Sequence, residues 1–362
     1  MIKKRIILVT LLILSFLIGN SFANEIIKGV DPGRVFLLDK KENIFTSYSA
    51  HEFRKYSPKG KLIVKIGRKG EGPGDIKRMG WFAINPIDNN IYVTEFVGGN
   101  RWISIFSTEG KYMGEWKIEI DWSKYNGLPV IKFDNNGNAY IQTYKSFFER
   151  HKDFSLGYVQ NSILKFSPKG KFLGSIYIFK SPFMVEKRGK GNITIPFHNY
   201  LYWDLWDEYI AVREHYHNFI SLFNLEGQLI KKLHIPFKRE KLEDRDIEEW
   251  LVYMKQFKAV KRGIWDLKYW KSRMPFPKYK PVSGYPLFFD RQGNIFSANY
   301  TGYQDTKIKV WAKINIRTGK HLLKSLKKYE NLVLPTKGYL YFEIEKEDNY
   351  ILVKMKRSEY QF

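Results

Sequence analysis

Short runs of alternating apolar and polar residues, each closed by a turn rich in Gly, Asn, Asp or Pro, recur along most of the chain. In ILKFSPKGKFLGSI (163–176), Ile163, Leu164 and Phe166 lead into a turn, and Phe172 and Leu173 lead out of it. A period of two on both sides of a tight turn predicts an antiparallel hairpin. The turn residues suit that role. Asn, Asp and Gly tolerate positive φ, and Pro58 and Pro168 preset φ at the second turn position.

Two hairpin phrases repeat. One is a turn before an apolar-aromatic strand: Asp88 to Val93, DNNGNAYI at 134–141, DRQGNIFS at 290–297, and a reduced KKENIFTS at 40–47. The other is an aromatic residue followed by a turn ending in Gly: YSPKGK (56–61), FSTEGK (106–111), FSPKGK (166–171), FNLEGQ (223–228) and a longer INIRTGK (314–320). The glycines of the second phrase, at 60, 110, 170, 227 and 319, are separated by 50, 60, 57 and 92 residues. A unit of about 40–50 residues holding several short strands predicts a β-propeller blade. The long gap contains one unit plus an insertion at 238–284, in which Leu242, Ile247, Leu251, Met254 and Phe257 stand at near-helical spacing. A last hairpin at 338–357 supplies a sixth blade. The expected fold is all-β: a single six-bladed β-propeller over 24–362, with a helical insertion between blades four and five.

One stretch looks like chemistry. GRKGEGPGDI (67–76) is rich enough in glycine to suggest a phosphate cradle. A phosphate-binding loop needs Lys and Ser/Thr after its second glycine, and Pro73 and Gly74 stand there instead. Trp81 to Ile84 then leads into a strand rather than a helix. The stretch reads as a crossover turn between blades. With it, the chain resembles the bacterial six-bladed β-propeller proteins related to NHL repeats. In that family a phrase like G-x-G-x-G-P-G-E/D-[FI] precedes a D-x-x-x-x-I-Y-V strand and an N-R-I-x-x-F strand. The matching residues are Gly70, Gly72, Pro73, Gly74, Asp75 and Ile76, then Asp88 to Val93, then Asn100, Arg101, Trp102, Ile103 and Phe106. The resemblance is specific over 53–116 and loose afterwards. It implies that Glu95 and Arg101 brace adjacent strands. YLYWDLWDEYIAVRE (200–214) lacks the Asn turn, which leaves blade boundaries between 185 and 237 open.

The N-terminus adds an address. Lys3, Lys4 and Arg5, an apolar run at 6–18 and Ser21-Phe22-Ala23 form the three parts of a secretory signal, with cleavage expected after Ala23. Thirteen apolar residues are short of the ~20 that cross a bilayer. An uncleaved anchor is the other reading. The protein is expected to be periplasmic or extracellular. With no cysteine, a core alone must hold the fold, and thiol catalysis is excluded. The formal charge of +24 favours anionic partners: an acidic polysaccharide, a protein or a membrane surface. Export argues against nucleic acid. A monomer is expected.

Candidate chemistry is sparse. His215 and His217 share a face if the chain is extended there, and with Arg213 form a polar stripe. A zinc site needs a third ligand, and the alternative is a polar strand end. DNNGN begins like a calcium loop, yet its glycine is early and no Glu follows at position twelve. Asp204, Asp207 and Glu208 lie close in sequence, which suits either an acid–base pair or a solvated loop. Trp203, Trp206, Trp250, Trp265 and Trp270 cluster around blade four and the insertion. Interleaved with Lys and Arg, they suit either stacking on sugar rings or packing of the insertion. No G-x-S-x-G elbow occurs. The reading is a binding or scaffold propeller, with 238–284 as lid or partner surface. The alternative is a metal-dependent hydrolase or lyase with a divalent cation in the central channel, as some six-bladed propellers have.

Overall fold

The computed structural model describes residues 25–27, 30, 36–95, 102–121, 124–125, 127–187, 191–195, 200–256, 271–272, 274–281, 283–290, 292–299, 310–325, 330–336, 339–346 and 349–356. Their strands form six antiparallel sheets, the blades of a propeller. Blade one is Phe36–Leu38, Ile44–Ser47, Phe53–Tyr56 and Leu62–Ile66; blade two is Met79–Ile84, Ile91–Glu95, Trp102–Phe106 and Tyr112–Lys117. Blade three has five strands: Gly127–Phe133, Ala139–Arg150, Ser155–Phe166, Phe172–Lys187 and Gly191–Thr194. Blade four is Leu201–Trp206, Tyr209–Glu214, Phe219–Asn224 and Leu229–His234; blade five is Ser283–Phe289, Asn294–Asn299, Val310–Asn315 and His321–Ser325. These assignments place the boundaries left open between 185 and 237. Neighbouring blades touch through their first strands, which pack two against three, three against four, four against five, five against six and six against one.

Blade six corrects the picture of six sequential hairpin units. Glu330–Pro335, Tyr339–Lys346 and Asn349–Lys356 supply three strands, and Glu25–Ile27 from the other end of the chain supplies the fourth. Ile27 is buried with Ile44, Tyr56, Tyr341 and Leu352, so one cluster joins blade six to blade one. The ring is closed by the chain's two ends.

The hydrophobic core is divided among the gaps between blades. Phe45, Phe53 and Ile66 of blade one meet Phe82, Ile91 and Phe106 of blade two. Equivalent clusters join blades two and three, three and four, four and five, and five and six. Sheets stacked face to face bury alternate residues on both faces, which explains the apolar runs in the second and third strands.

Both sequence phrases have structural reasons. In the first, Asp134 Oδ1 accepts from Asn136 N (3.0 Å) and Asn138 N (2.8 Å), while Oδ2 accepts from Asn138 Nδ2 (2.9 Å). Asp39 and Asp290 repeat the pattern with Asn43 and Asn294. Each carboxylate accepts three hydrogen bonds from within its own turn, the pattern of a side chain that closes a turn. In the second phrase the glycines at 110, 170 and 227 pack against the outer strand of the preceding blade. A Cβ on Gly170 would lie 2.5 Å from Lys117 O, and one on Gly227 would lie 3.2 Å from Ile176 Cα.

The segment 67–76 crosses from the outer strand of blade one to the inner strand of blade two, and no helix starts there. Asp75 organises it: Oδ2 accepts from Gly72 N (2.8 Å) and Oδ1 from Arg68 Nε (2.5 Å). Ile76 is fully buried. Glu95 Oε2 accepts from Lys77 N at 3.1 Å, tying the crossover to blade two. Arg101 lies outside the described residues.

The insertion at 238–284 needs a narrower description than a helical element. Its described residues hold one helix over its full bounds, α1 (Asp244–Met254), and a further helical residue at Lys271; α1 is opened by Glu243, whose N–H donates to Asp246 Oδ2 at 2.9 Å. Trp250 and Met254 pack with Met274 against Val185 and Ile195, on the part of blade three that extends past its neighbours. Lys280 pairs with Asp246 at 2.8 Å and returns the segment towards blade five.

Candidate binding pocket at the inner strands

The first strands of blades two to five converge on a cavity of about 200 Å³. Its wall is aromatic: Trp81, Tyr202, Trp203 and Phe288, with Val130, Leu201 and Leu287 between them. Lys132 and Gln142 of blade three bring the polar groups. Alternation aims these side chains. Val130 and Lys132 are two apart on one strand, as are Leu201 and Trp203, so each pair shares a face.

Hydrogen bonds set the wall across blades. Trp203 Nε1 donates to Gln142 Oε1 (2.9 Å), and Gln142 Nε2 donates to Asn161 Oδ1 (2.9 Å). Lys132 Nζ donates to Asp204 Oδ1 at 2.5 Å, and Asp204 Oδ2 accepts from Phe289 N at 2.6 Å. One carboxylate thus bridges blades three, four and five. The Lys132 ammonium lies 5.7 Å from the centre of the Trp203 ring. Behind Tyr202, the guanidinium of Arg213 lies 4.9 Å from that ring and donates to Ser297 Oγ of blade five. Arg213 is fully buried, and burial pushes its guanidinium down to about 10.

The residues singled out in the sequence divide. Trp203 lines the cavity, and Arg213 supports its wall from behind. Strand Tyr209–Glu214 ends before His215 and His217, so the extended face they were to share with Arg213 is not formed. His215 is buried, its ring 5.2 Å from Tyr200 and 5.0 Å from Tyr202. His217 is half-buried, stacks on Phe219 and stands 3.6 Å from Glu214. Glu214 in turn accepts a short hydrogen bond from the Tyr177 hydroxyl. Trp206 packs on Phe289 and Tyr209 between blades. The acidic trio is split too: Asp204 faces inward, while Asp207 and Glu208 form the exposed turn. Trp265 and Trp270 lie outside the described residues, as does the region around Ala23. Among the described residues no group of three or more His, Asp or Glu is placed to hold a metal ion.

Sequence reasoning missed Trp81, Lys132 and Gln142. The available signal was Lys132 inside the apolar run LPVIKF of an inner strand. Only convergence of four strands shows that it faces Trp203.

The sequence profile of family DUF5128, described as a 6-bladed beta-propeller, matches residues 27–233. The chain belongs to this family. No curated protein matches it. Among solved structures, a Bacteroides fragilis protein described as exported is similar at a TM-score of 0.51 and 11% identity, over 93% of this chain and 97% of that one. A Bacteroides vulgatus member of the DUF4221 family is similar at 0.51 and 9% identity, over 90% and 92% of the two chains. At such identities these likenesses speak for the fold alone.

Proposed function

We propose that this DUF5128 propeller is an exported binding module whose inner-strand cavity takes the ring of an acidic saccharide. The observation that carries the reading is the joining of four aromatic walls with a single ammonium, Lys132, in one cavity. Aromatic faces stack on the C–H faces of sugar rings, and the Lys132 ammonium, held in place by Asp204, keeps further N–H donors for a carboxylate or sulfate on that ring. A cavity of about 200 Å³ suits one ring or the end of a chain rather than an enclosed polymer. Secretory features at residues 1–23 and the basic charge support a site outside the cytoplasm that meets anionic polysaccharide.

Calorimetry with uronic-acid oligosaccharides and their neutral counterparts tests the reading. The acidic series is expected to bind, and Trp81→Ala to weaken it about 5- to 100-fold, as loss of one stacking face does. Equal affinity for neutral and acidic oligosaccharides, or no effect of Trp81→Ala, would reject the saccharide site. Enrichment of a protein that competes with neither series would favour a scaffold instead.

A further inference from the structure

The second sequence phrase marks a surface as well as a hairpin. In each of blades one to five the turn between third and fourth strands lies at the same end as the turn between first and second. These five turns therefore circle one end of the propeller. The extension of blade three and the insertion lie at the other end. The fourth strands begin at this rim, and they begin with exposed apolar side chains: Leu, Ile, Met or Phe at 62–63, 113, 172–173, 229–230 and 322–323. Nine of the fifteen large hydrophobic residues exposed among the described residues stand at the start of these five strands, each 40–52% exposed. Single exposed apolar residues are ordinary; recurrence at the same strand start in five blades is not.

The same segments are strongly basic. Residues 57–65, 107–115, 167–175, 224–232 and 315–324 carry eleven Lys or Arg against three Glu. Aliphatic tips alternating with ammonium groups fit an interface where acyl chains lie beneath anionic headgroups. The geometry narrows the occupant further. A partner seated beside one blade covers one or two of the five positions, whereas a flat surface meets them all together. We propose that this rim docks the propeller on an anionic lipid membrane, leaving the insertion end towards solvent. This rests on different residues from the cavity and stands independently of it.

Co-sedimentation of the full chain, freed of residues 1–23, with vesicles provides the test. Binding is expected to phosphatidylcholine vesicles containing phosphatidylglycerol but not to phosphatidylcholine alone, and to fall as salt screens the charges. The variant Leu229→Ser/Ile230→Ser/Leu322→Ser/Leu323→Ser is expected to lower partitioning at least ~10-fold. Phe148→Ser/Ile178→Ser, exposed on blade three beyond the rim, should leave it unchanged. The chain has no cysteine, so Leu173→Cys carries a single environment-sensitive dye whose emission should shift to the blue on anionic vesicles. That measurement decides the matter even if the quadruple variant folds poorly. Unshifted emission with no co-sedimentation overturns the proposal. So does self-association that the quadruple variant abolishes while vesicles remain unbound.

Discussion

Gly170 and Gly319 occupy the same place in two copies of one phrase, at φ of +84° and +71°. An Ala at either position must adopt the left-handed conformation, which costs about 1–2 kcal/mol. Only at Gly170 would the new Cβ also meet backbone, at 2.5 Å from Lys117 O; nothing lies within 4 Å of a Cβ on Gly319. Gly170→Ala is therefore expected to cost at least ~3 kcal/mol and Gly319→Ala about 1 kcal/mol, read from urea midpoints. Glu95 gives a pH-dependent counterpart. Burial raises its carboxyl above the usual range, against the pull of the Lys77 and Arg78 amides. A carboxyl with a raised folded-state pKa contributes stability below its unfolded pKa and loses it as pH rises through the folded value. Relative to wild type, Glu95→Gln should gain stability as pH increases above about 4.5, since Gln keeps an acceptor for Lys77 N. A flat difference in melting temperature as the pH is raised from about 4 to about 7 would show that Glu95 does not titrate over that interval.

At the scale of elements, the insertion behaves as part of the packing. Trp250 is buried among Val185, Ile195, Met254 and Met274, and Phe276 meets it edge-on. Trp250→Ala should cost about 3–5 kcal/mol if the insertion unfolds with the propeller. If the insertion opens alone, hydrogen exchange at Asp244–Met254 should rise while the blade amides stay protected. Removing 238–284 outright is expected to expose Val185 and Leu156 and to lower the melting temperature, in contrast to a lid that detaches freely. Near-helical spacing at 242–254 was readable because α1 keeps one apolar face. The partner of that face was not, because blade three lies more than fifty residues away in sequence.

For the whole molecule, closure depends on three residues. Glu25–Ile27 pairs with Asn349–Lys356 and completes blade six. Starting the chain at residue 30 should lower the melting temperature and leave blade six the first to exchange. Ile27→Ser, which places a hydroxyl in the cluster linking blades six and one, should cost about 2–4 kcal/mol. An unchanged melting temperature for both would mean that the ring holds without its clasp. The residues by themselves determined the blade repeat, because turn chemistry and period-two alternation act over about ten positions: Asp134 and Asn138, or Phe166 and Gly170, make their turns wherever the chain lies. They also determined that 67–76 is a turn, since Pro73 and Gly74 deny a phosphate its Lys and hydroxyl. Tertiary structure alone decided which residues meet. Lys132 and Trp203, the saturated Asp204, the clasp at Ile27 and the rim of recurring aliphatics arise from strands distant in sequence, whose convergence is set by stacking six sheets around one axis.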